Sequence, residues 1–369
     1  MIPKDIFWRN PFRVLAGVYS CFRSSGKAYS LPLRLAIENG VGCNYNCQMC
    51  ALRHMDRPRG FMTFVKFKRI YNQILPPYLN LTGYTESFLN PDIFKMIKYA
   101  KSKGSFVRID TNASIMSSDI SEQLIDSGVD SISISVDGST QIIYEKICVG
   151  GKLYVSLDNI KELVKVRDQV KSPLKISIAI VVQKDNVEDL ANIIKKVDEL
   201  GVDEINPTPV VEYDIKEFEK YTLKNCIPAL KDQLNKISES VGVAAELNIQ
   251  PLYDYIRDFE AGELLYTTTR HACYMPWHNT YITWDGDVVP CCYYYNAQVS
   301  FGNVFKKTFK EIWNSKEYQN FRKAHAVGRG FRICQTCRND ETFLESKLKL
   351  FRDVPILGRL SKRRLNKDE

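Results

Sequence analysis

Three cysteines fall within eight positions of the chain, Cys43, Cys47 and Cys50 in "VGCNYNCQMC", and the rest of that region offers no fourth cysteine. Grouped thiolates of this kind bind metal, and a structural zinc site wants four ligands. Three thiolates on one short loop suit an iron–sulfur cubane instead, with three irons held by protein and one left free. A second set lies far downstream, at Cys273, Cys291, Cys334 and Cys337. Cys334-Gln-Thr-Cys337 is a Cys-x2-Cys knuckle able to hold two corners of a site, and Cys273 and Cys291 flank a hairpin signal whose turn is Asp285-Gly286. Four thiolates make a closed site, open to zinc or to a fully ligated cluster. A fully ligated cluster moves electrons and binds no substrate.

A short loop can present three thiolates only if rigid elements hold it. Strand patterns occupy residues 33–40, 78–83, 106–112, 131–138, 175–183 and 202–210, and helical patterns lie between them at 63–74, 91–104, 117–128, 156–170 and 187–201. Gly104, Gly128 and Gly201 each end a helix just before the next strand, as left-handed C-caps do. Such alternation is the signature of right-handed parallel crossovers. With six strands against the eight of a closed barrel, the expected fold is α/β, a partial (β/α)6 TIM-like barrel with ligands at the C-terminal ends of its strands. Cys43, Cys47 and Cys50 follow the first strand directly, which puts them at the mouth.

After residue 212 the alternation stops. The expected organisation is an N-terminal amphipathic extension (1–32), the barrel (33–212), a helical connector (213–262), a smaller cysteine-rich α+β domain (263–345) and a basic tail (346–369). The extension mixes aromatic residues with Arg and Lys and reads as a helix ending near Ser24 to Gly26. At 369 residues and 44% hydrophobic content the chain can bury a real core, and no run of eighteen apolar residues occurs. "MIPKDIFWRN" has no apolar signal segment, so the cytoplasm is the expected compartment, and there eleven cysteines point to metal or redox chemistry before disulfides. The net charge of +8 is scattered, so nucleic acid is not expected as a partner. The amphipathic start and basic end together leave peripheral membrane contact open.

Cys-x3-Cys-x2-Cys after the first strand of a βα barrel resembles the radical S-adenosylmethionine (SAM) superfamily, and the resemblance spans roughly residues 33–340. It implies that Cys43, Cys47 and Cys50 are catalytic and hold a 4Fe–4S cluster whose open iron is chelated by SAM. An electron from a reduced flavodoxin or ferredoxin-type donor then cleaves the C5′–S bond, and the 5′-deoxyadenosyl radical takes hydrogen from the substrate. Met49 matches an apolar position beside the adenine, though an aromatic is commoner there. Gly83, Tyr84, Thr85 and Glu86 match the Gly-Gly-Glu stretch that meets the methionine ammonium, with Tyr84 in place of the second Gly. Asp110, Thr111 and Asn112, and Ser135, Asp137 and Gly138, resemble stretches near the ribose and carboxylate; capping of the next helix competes for the isolated Ser and Asn. Where the family often has Arg, this chain has Cys148, a buried small hydrophobe or a thiol that returns hydrogen.

The downstream cysteines, with Gly286-x4-Cys291, resemble the SPASM/Twitch extension of the same superfamily. A full SPASM pattern has seven cysteines for two auxiliary clusters. The four here resemble the one-cluster Twitch arrangement, with the spacing of the inosamine dehydrogenase of butirosin biosynthesis, and imply one auxiliary 4Fe–4S cluster on Cys273, Cys291, Cys334 and Cys337. Cys292 is a spare beside them, and Cys21 and Cys226 have no partner pattern. The expected activity is that of an oxidoreductase dehydrogenating an alcohol-bearing small molecule such as a sugar or cyclitol, with the auxiliary cluster as electron acceptor. Epimerisation with a cysteine hydrogen donor (Cys148, Cys226 or Cys292), maturation of a ribosomal peptide, and modification of a lipid-linked substrate are the alternatives. Tyr84, Tyr293, Tyr294, Tyr295, His278 and Asp110 are candidates for the general base.

Overall fold

A computed structural model describes residues 10–239, 242–262, 273, 275–327 and 334. Cys337, residues 1–9 and the tail at 346–369 lie outside the described residues. In chain order the helices and strands begin with α1 (Pro11–Arg23), β1 (Arg34–Gly42), β2 (Gly60–Phe61), α2 (Phe64–Ile74), β3 (Tyr78–Thr85), α3 (Ile93–Ser102), β4 (Phe106–Thr111), α4 (Ser118–Asp126) and β5 (Ser131–Ser135). They continue with α5 (Gln141–Ile147), α6 (Leu153–Gln169), β6 (Lys175–Val182), α7 (Leu190–Asp198), β7 (Glu204–Pro209), α8 (Ile227–Glu239), β8 (Glu246–Leu247) and α9 (Gln250–Glu260). Last come β9 (Asn279–Ile282), β10 (Val288–Val289), α10 (Phe309–Trp313) and α11 (Lys316–Ala326).

The six strands read from the sequence form one parallel run, β1-β3-β4-β5-β6-β7. Alternate side chains along these strands are fully buried and share one face of the sheet, among them Leu35, Ile37, Leu81, Ile109, Ile134, Ile178 and Ile205. The residues between them are mostly polar and half-buried, as in FVRIDT of β4 and EINPTP of β7, which is why the strands read with a period of two. Gly104, Gly128 and Gly201 have φ of 85°, 73° and 77°, a region where a Cβ is costly. Helix α5, absent from the sequence reading, is too short for periodicity to show; it begins where the Thr140 side chain accepts from the Ile143 N–H.

The sheet does not stop at residue 212. β8, from the stretch read as a helical connector, pairs parallel with β7, and β9 pairs parallel with β1 in register Arg34 to Asn279 through Ile37 to Ile282. The sheet runs β10-β9-β1-β3-β4-β5-β6-β7-β8 and stays open, with β2 antiparallel to β1. β8 and β10 are two residues long and β9 four, too short to show a period of two in sequence.

A buried ion pair inside the barrel anchors the hydrogen bonds that reach the cysteine-rich segment. Glu38, on β1, is fully buried and takes both arms of the Arg57 guanidinium, at 3.0 Å to Oε2 and 2.6 Å to Oε1. The Tyr281 hydroxyl donates to the same carboxylate at 3.1 Å and the Trp284 N–H at 3.0 Å, while Arg57 Nε donates to the Tyr295 carbonyl at 2.9 Å. Arg57→Met leaves Glu38 as a buried charge without its counter-ion, a loss expected to cost about 3–5 kcal/mol. Urea unfolding should show it, with the Glu38→Gln/Arg57→Met pair recovering a large part; an unchanged midpoint in the single variant would contradict this role for the pair.

Candidate active site

The three-cysteine loop leaves β1 at Gly42 and is fastened from several sides. Thr85 Oγ1 donates to the Gly42 carbonyl at 2.7 Å, and the Glu86 N–H reaches the same oxygen at 3.2 Å. On the far side, the Asn46 and Gln48 N–H groups donate to the carbonyls of Val149 and Ile147 at 3.0 and 2.9 Å. This docking places Cys148 beneath the loop, buried, with its thiol next to Cys47 and donating to Asp137 Oδ2 at 3.5 Å. The fourth cysteine missing from the neighbouring sequence thus stands next to the loop in space, about a hundred residues away in the chain.

Burial and the neighbouring thiols hold Cys43 and Cys50 protonated in the unliganded chain. Burial pushes the Cys43 thiol up to about 11 and the Cys50 thiol up to about 12, and the neighbouring cysteines add to both shifts. Three thiolates are stable here only against a strongly cationic centre, which deprotonates its thiol ligands outright. Among the described residues no three Cys, His, Asp or Glu side chains converge closely enough to hold a single metal ion. A multi-iron cluster, each iron taking one thiolate, is served by wider spacing than a tetrahedral zinc. The donor set therefore fits an iron–sulfur cluster.

Beside the loop, Asn112 Nδ2 lies 3.7 Å from Cys43 Sγ and 3.1 Å from Asn44 Oδ1, and Asn44 in turn donates to Ser114 Oγ at 2.7 Å. Glu86 orients this corner. Its carboxylate accepts from the Thr111 hydroxyl at 2.6 Å, the Asn112 N–H at 2.7 Å and the Phe88 N–H at 3.2 Å, and burial pushes its pKa up. Both oxygens are thus engaged inside the protein, joining the ends of β3 and β4. Gly83 has φ +155°, and a Cβ there would lie 2.7 Å from the Gly40 carbonyl oxygen, so β1 and β3 meet this closely only around a glycine. Ser135 ends β5 half-buried. Asp137 is buried and accepts from the Val181 N–H at 2.7 Å; burial pushes it up to about 6. Asp110 pairs with Arg108 at 3.3 Å.

An aromatic wall stands over the loop. Met49, Tyr84, Val181, Tyr213 and Tyr295 pack on an apolar patch of Ala51, Val210, Ile215, Phe218 and Tyr221. Tyr213 is central, with ring centroids 5.4 Å from Tyr293, 6.0 Å from Tyr295 and 6.4 Å from Tyr84. Tyr213 and Asp214 both have left-handed φ, 51° and 60°, a costly conformation for two consecutive non-glycine residues and one that gathers at functional sites. Burial pushes the Tyr84 and Tyr213 phenols upward, so at neutral pH they are hydrogen-bonding groups and not bases. The Tyr84 hydroxyl donates to the Cys292 carbonyl at 2.6 Å, and Cys292 itself is exposed. Tyr213 had no sequence signal, because it lies in an irregular stretch after the last regular strand.

Tyr294 points elsewhere. Its hydroxyl is 3.4 Å from Cys334 Sγ, and its N–H donates to the Cys291 carbonyl at 3.2 Å, so it links two of the downstream cysteines. His325 Nε2, unnoticed in sequence, lies 3.3 Å from Cys334 Sγ. Cys273 and Cys291 are half-buried. His278 is not at the mouth: its carbonyl accepts from the Arg34 N–H at 3.0 Å, where β1 begins, and its Nδ1 lies 3.9 Å from Cys21 Sγ. Parallel pairing of β9 with β1 puts residue 278 at the opposite end of the barrel, which removes it as a base.

A family model described as the radical SAM superfamily matches residues 37–197, and one described as an iron–sulfur cluster-binding domain, SPASM, matches residues 273–339. The chain is 26% identical over 313 residues to the tungsten-containing aldehyde ferredoxin oxidoreductase cofactor-modifying protein of Pyrococcus furiosus, covering 78% of this chain and 82% of that one. It is 24% identical over 320 residues to the AdoMet-dependent heme synthase of Methanosarcina barkeri (79% and 84%) and 23% identical over 329 residues to the PqqA peptide cyclase of Rhodopseudomonas palustris (85% and 81%). The crystal structure of Streptococcus suis SuiB bound to precursor peptide SuiA shares the fold, with a TM-score of 0.63 at 17% identity over 91% of this chain and 76% of that one. The chain belongs to the radical SAM superfamily, as an enzyme that uses a 4Fe–4S cluster and SAM and that carries a SPASM-type auxiliary iron–sulfur domain.

Proposed function

We propose that this enzyme oxidises an alcohol-bearing small molecule, of the sugar or cyclitol class, with the auxiliary cluster as electron acceptor. When bound, the cluster and SAM supply a carbon-centred radical able to break an unactivated C–H bond. In this reading Cys43, Cys47 and Cys50 hold that cluster, and Cys273, Cys291, Cys334 and Cys337 hold the auxiliary one. Met49 offers its thioether to the adenine from the apolar patch. Gly83, Tyr84, Thr85 and Glu86 shape the backbone that meets the methionine ammonium, and Asn112 and Ser135 face the ribose and carboxylate.

The observation that carries the reading is the wall of Tyr84, Tyr213, Tyr293 and Tyr295 between the cysteine loop and the Cys291–Cys292 turn. Ring faces pack against the C–H faces of a saturated ring, and protonated phenols hydrogen-bond its hydroxyls. Cys292 supports a second reading. It is an exposed thiol on the turn that the Tyr84 hydroxyl fastens through the Cys292 carbonyl, open to a substrate radical as a hydrogen donor for epimerisation must be. A peptide substrate draws support from the names of relatives, one a peptide cyclase.

Incubation of the reduced enzyme with SAM and a panel of polyols, cyclitols and short peptides in deuterium oxide separates the three. Oxidation gives 5′-deoxyadenosine with a product two hydrogens lighter and no solvent deuterium on carbon. An isomer carrying one deuterium, lost in Cys292→Ala, would replace oxidation by epimerisation, and turnover with peptides alone would end the small-molecule reading.

Anaerobic iron analysis tests the ligand sets. The wild-type chain should hold about eight irons, and the Cys43→Ala/Cys47→Ala/Cys50→Ala variant about four, with SAM cleavage abolished. Cys334→Ala should lose auxiliary iron and still cleave SAM. A wild-type content of about four irons would remove the auxiliary cluster from the scheme.

A further inference from the structure

Helix α1 is apolar on two opposite sides. Val14, Gly17, Val18 and Cys21 are buried against the barrel, and Gly17 is tight enough that a Cβ would meet Leu33 Cδ1 at 2.7 Å. On the outer side Phe12, Leu15, Tyr19 and Phe22 are 86%, 43%, 49% and 56% exposed. At about 100° per residue these four fall within an arc of about 80°. Tyr29, also exposed, packs edge-on against Tyr19 with centroids 5.1 Å apart. Single exposed apolar side chains are ordinary, but a contiguous aromatic stripe marks an interaction surface.

Charge identifies the partner. Residues 10–37 contain no Asp or Glu, while Arg23 and Lys27 stand exposed beside the end of the stripe. Residues 346–369, outside the described residues, add eight Lys and Arg against three Asp and Glu. Aromatic and aliphatic side chains in a plane, bordered by cations and free of anions, match an anionic bilayer surface. A folded protein partner would have to supply both an apolar groove and a negative rim. No helix of the described residues is long and apolar enough to cross a membrane, so such contact is peripheral.

We infer that α1 docks this enzyme on anionic membranes, lying in the interface with Phe12, Leu15, Tyr19 and Phe22 inserted. The contacts of α1 also set the orientation. Arg13 donates to the Pro32 carbonyl at 2.7 Å just before β1, and Trp277 Nε1 donates to the Ser25 carbonyl at 2.6 Å just before β9. The helix therefore lies across the strand starts, opposite the cysteine loop. A docked enzyme turns its mouth to the aqueous side and meets substrate from solution.

Flotation of the full-length holoenzyme with phosphatidylcholine vesicles, alone or mixed with phosphatidylglycerol, tests the inference. The protein should float with the mixed vesicles at low salt and far less with phosphatidylcholine alone. Phe12→Ser/Phe22→Ser should lower the bound fraction at least about tenfold while iron content and SAM cleavage stay at wild-type values. Absence of flotation with mixed vesicles, or flotation that the double variant leaves intact, overturns it. So does a dimer in sedimentation that the double variant dissociates, since the stripe would then be covered by a second copy. The iron and cleavage readouts belong to the barrel mouth, so failure here leaves the proposed chemistry standing.

Discussion

The buried carboxylate of Glu38 is the point on which the site's geometry depends. It lies on β1 five residues before the first cysteine, and it takes hydrogen bonds from Arg57, just beyond the cysteine loop, and from Tyr281 and Trp284 on the β9 hairpin. Between Gly42 and Gly60 the only helical element is one short turn at Ala51–His54. A segment with so little internal hydrogen bonding takes its shape from its anchors. The ion pair fixes the exit of the loop to the same carboxylate that holds the hairpin, and Arg57 carries the link on to Tyr295 at the wall. Desolvating such a pair is costly, and that cost is met only while every partner is in place. The loop, the hairpin and the aromatic wall are therefore one cooperative unit.

A second constraint is electrostatic. Three cysteines in a half-buried loop, with a fourth thiol and Asp137 against them, form a place where negative charge is unwelcome until a cation arrives. The surroundings prepare for that charge with donors: the Tyr45 N–H is 3.4 Å from Cys43 Sγ and Asn112 Nδ2 is 3.7 Å from it. Glu86 holds Asn112 there through its backbone N–H. The carboxylate read as a direct contact to SAM has a structural task visible in its hydrogen bonds, and Gly83 beside it has a steric one.

The two ends of the barrel are specialised differently. At the strand ends, polar and aromatic side chains from β3, the loop after β7 and the Cys291 turn converge on the cysteine loop. At the strand starts, α1 covers the barrel with one apolar face and shows another outward. His278, which composition alone makes an attractive base, belongs to this second end and packs near Cys21.

Much of this was legible in the sequence. The parallel run of six strands follows from alternating periodicities, because strands that bury every second residue and helices that bury one stripe leave distinct apolar patterns. The cysteine loop is legible because its ligands are adjacent in the chain and their spacing restricts the chemistry. Tertiary structure decided everything that depends on strand pairing at long range. It set Cys148 against Cys47, sent Tyr294 to Cys334 while Tyr293 and Tyr295 joined Tyr213, moved His278 to the far end, and ran β9 onto the barrel's first edge. Local periodicity reports which face of an element is buried; the partner it is buried against is set by contacts between residues from about forty to more than two hundred positions apart, which leave no local pattern.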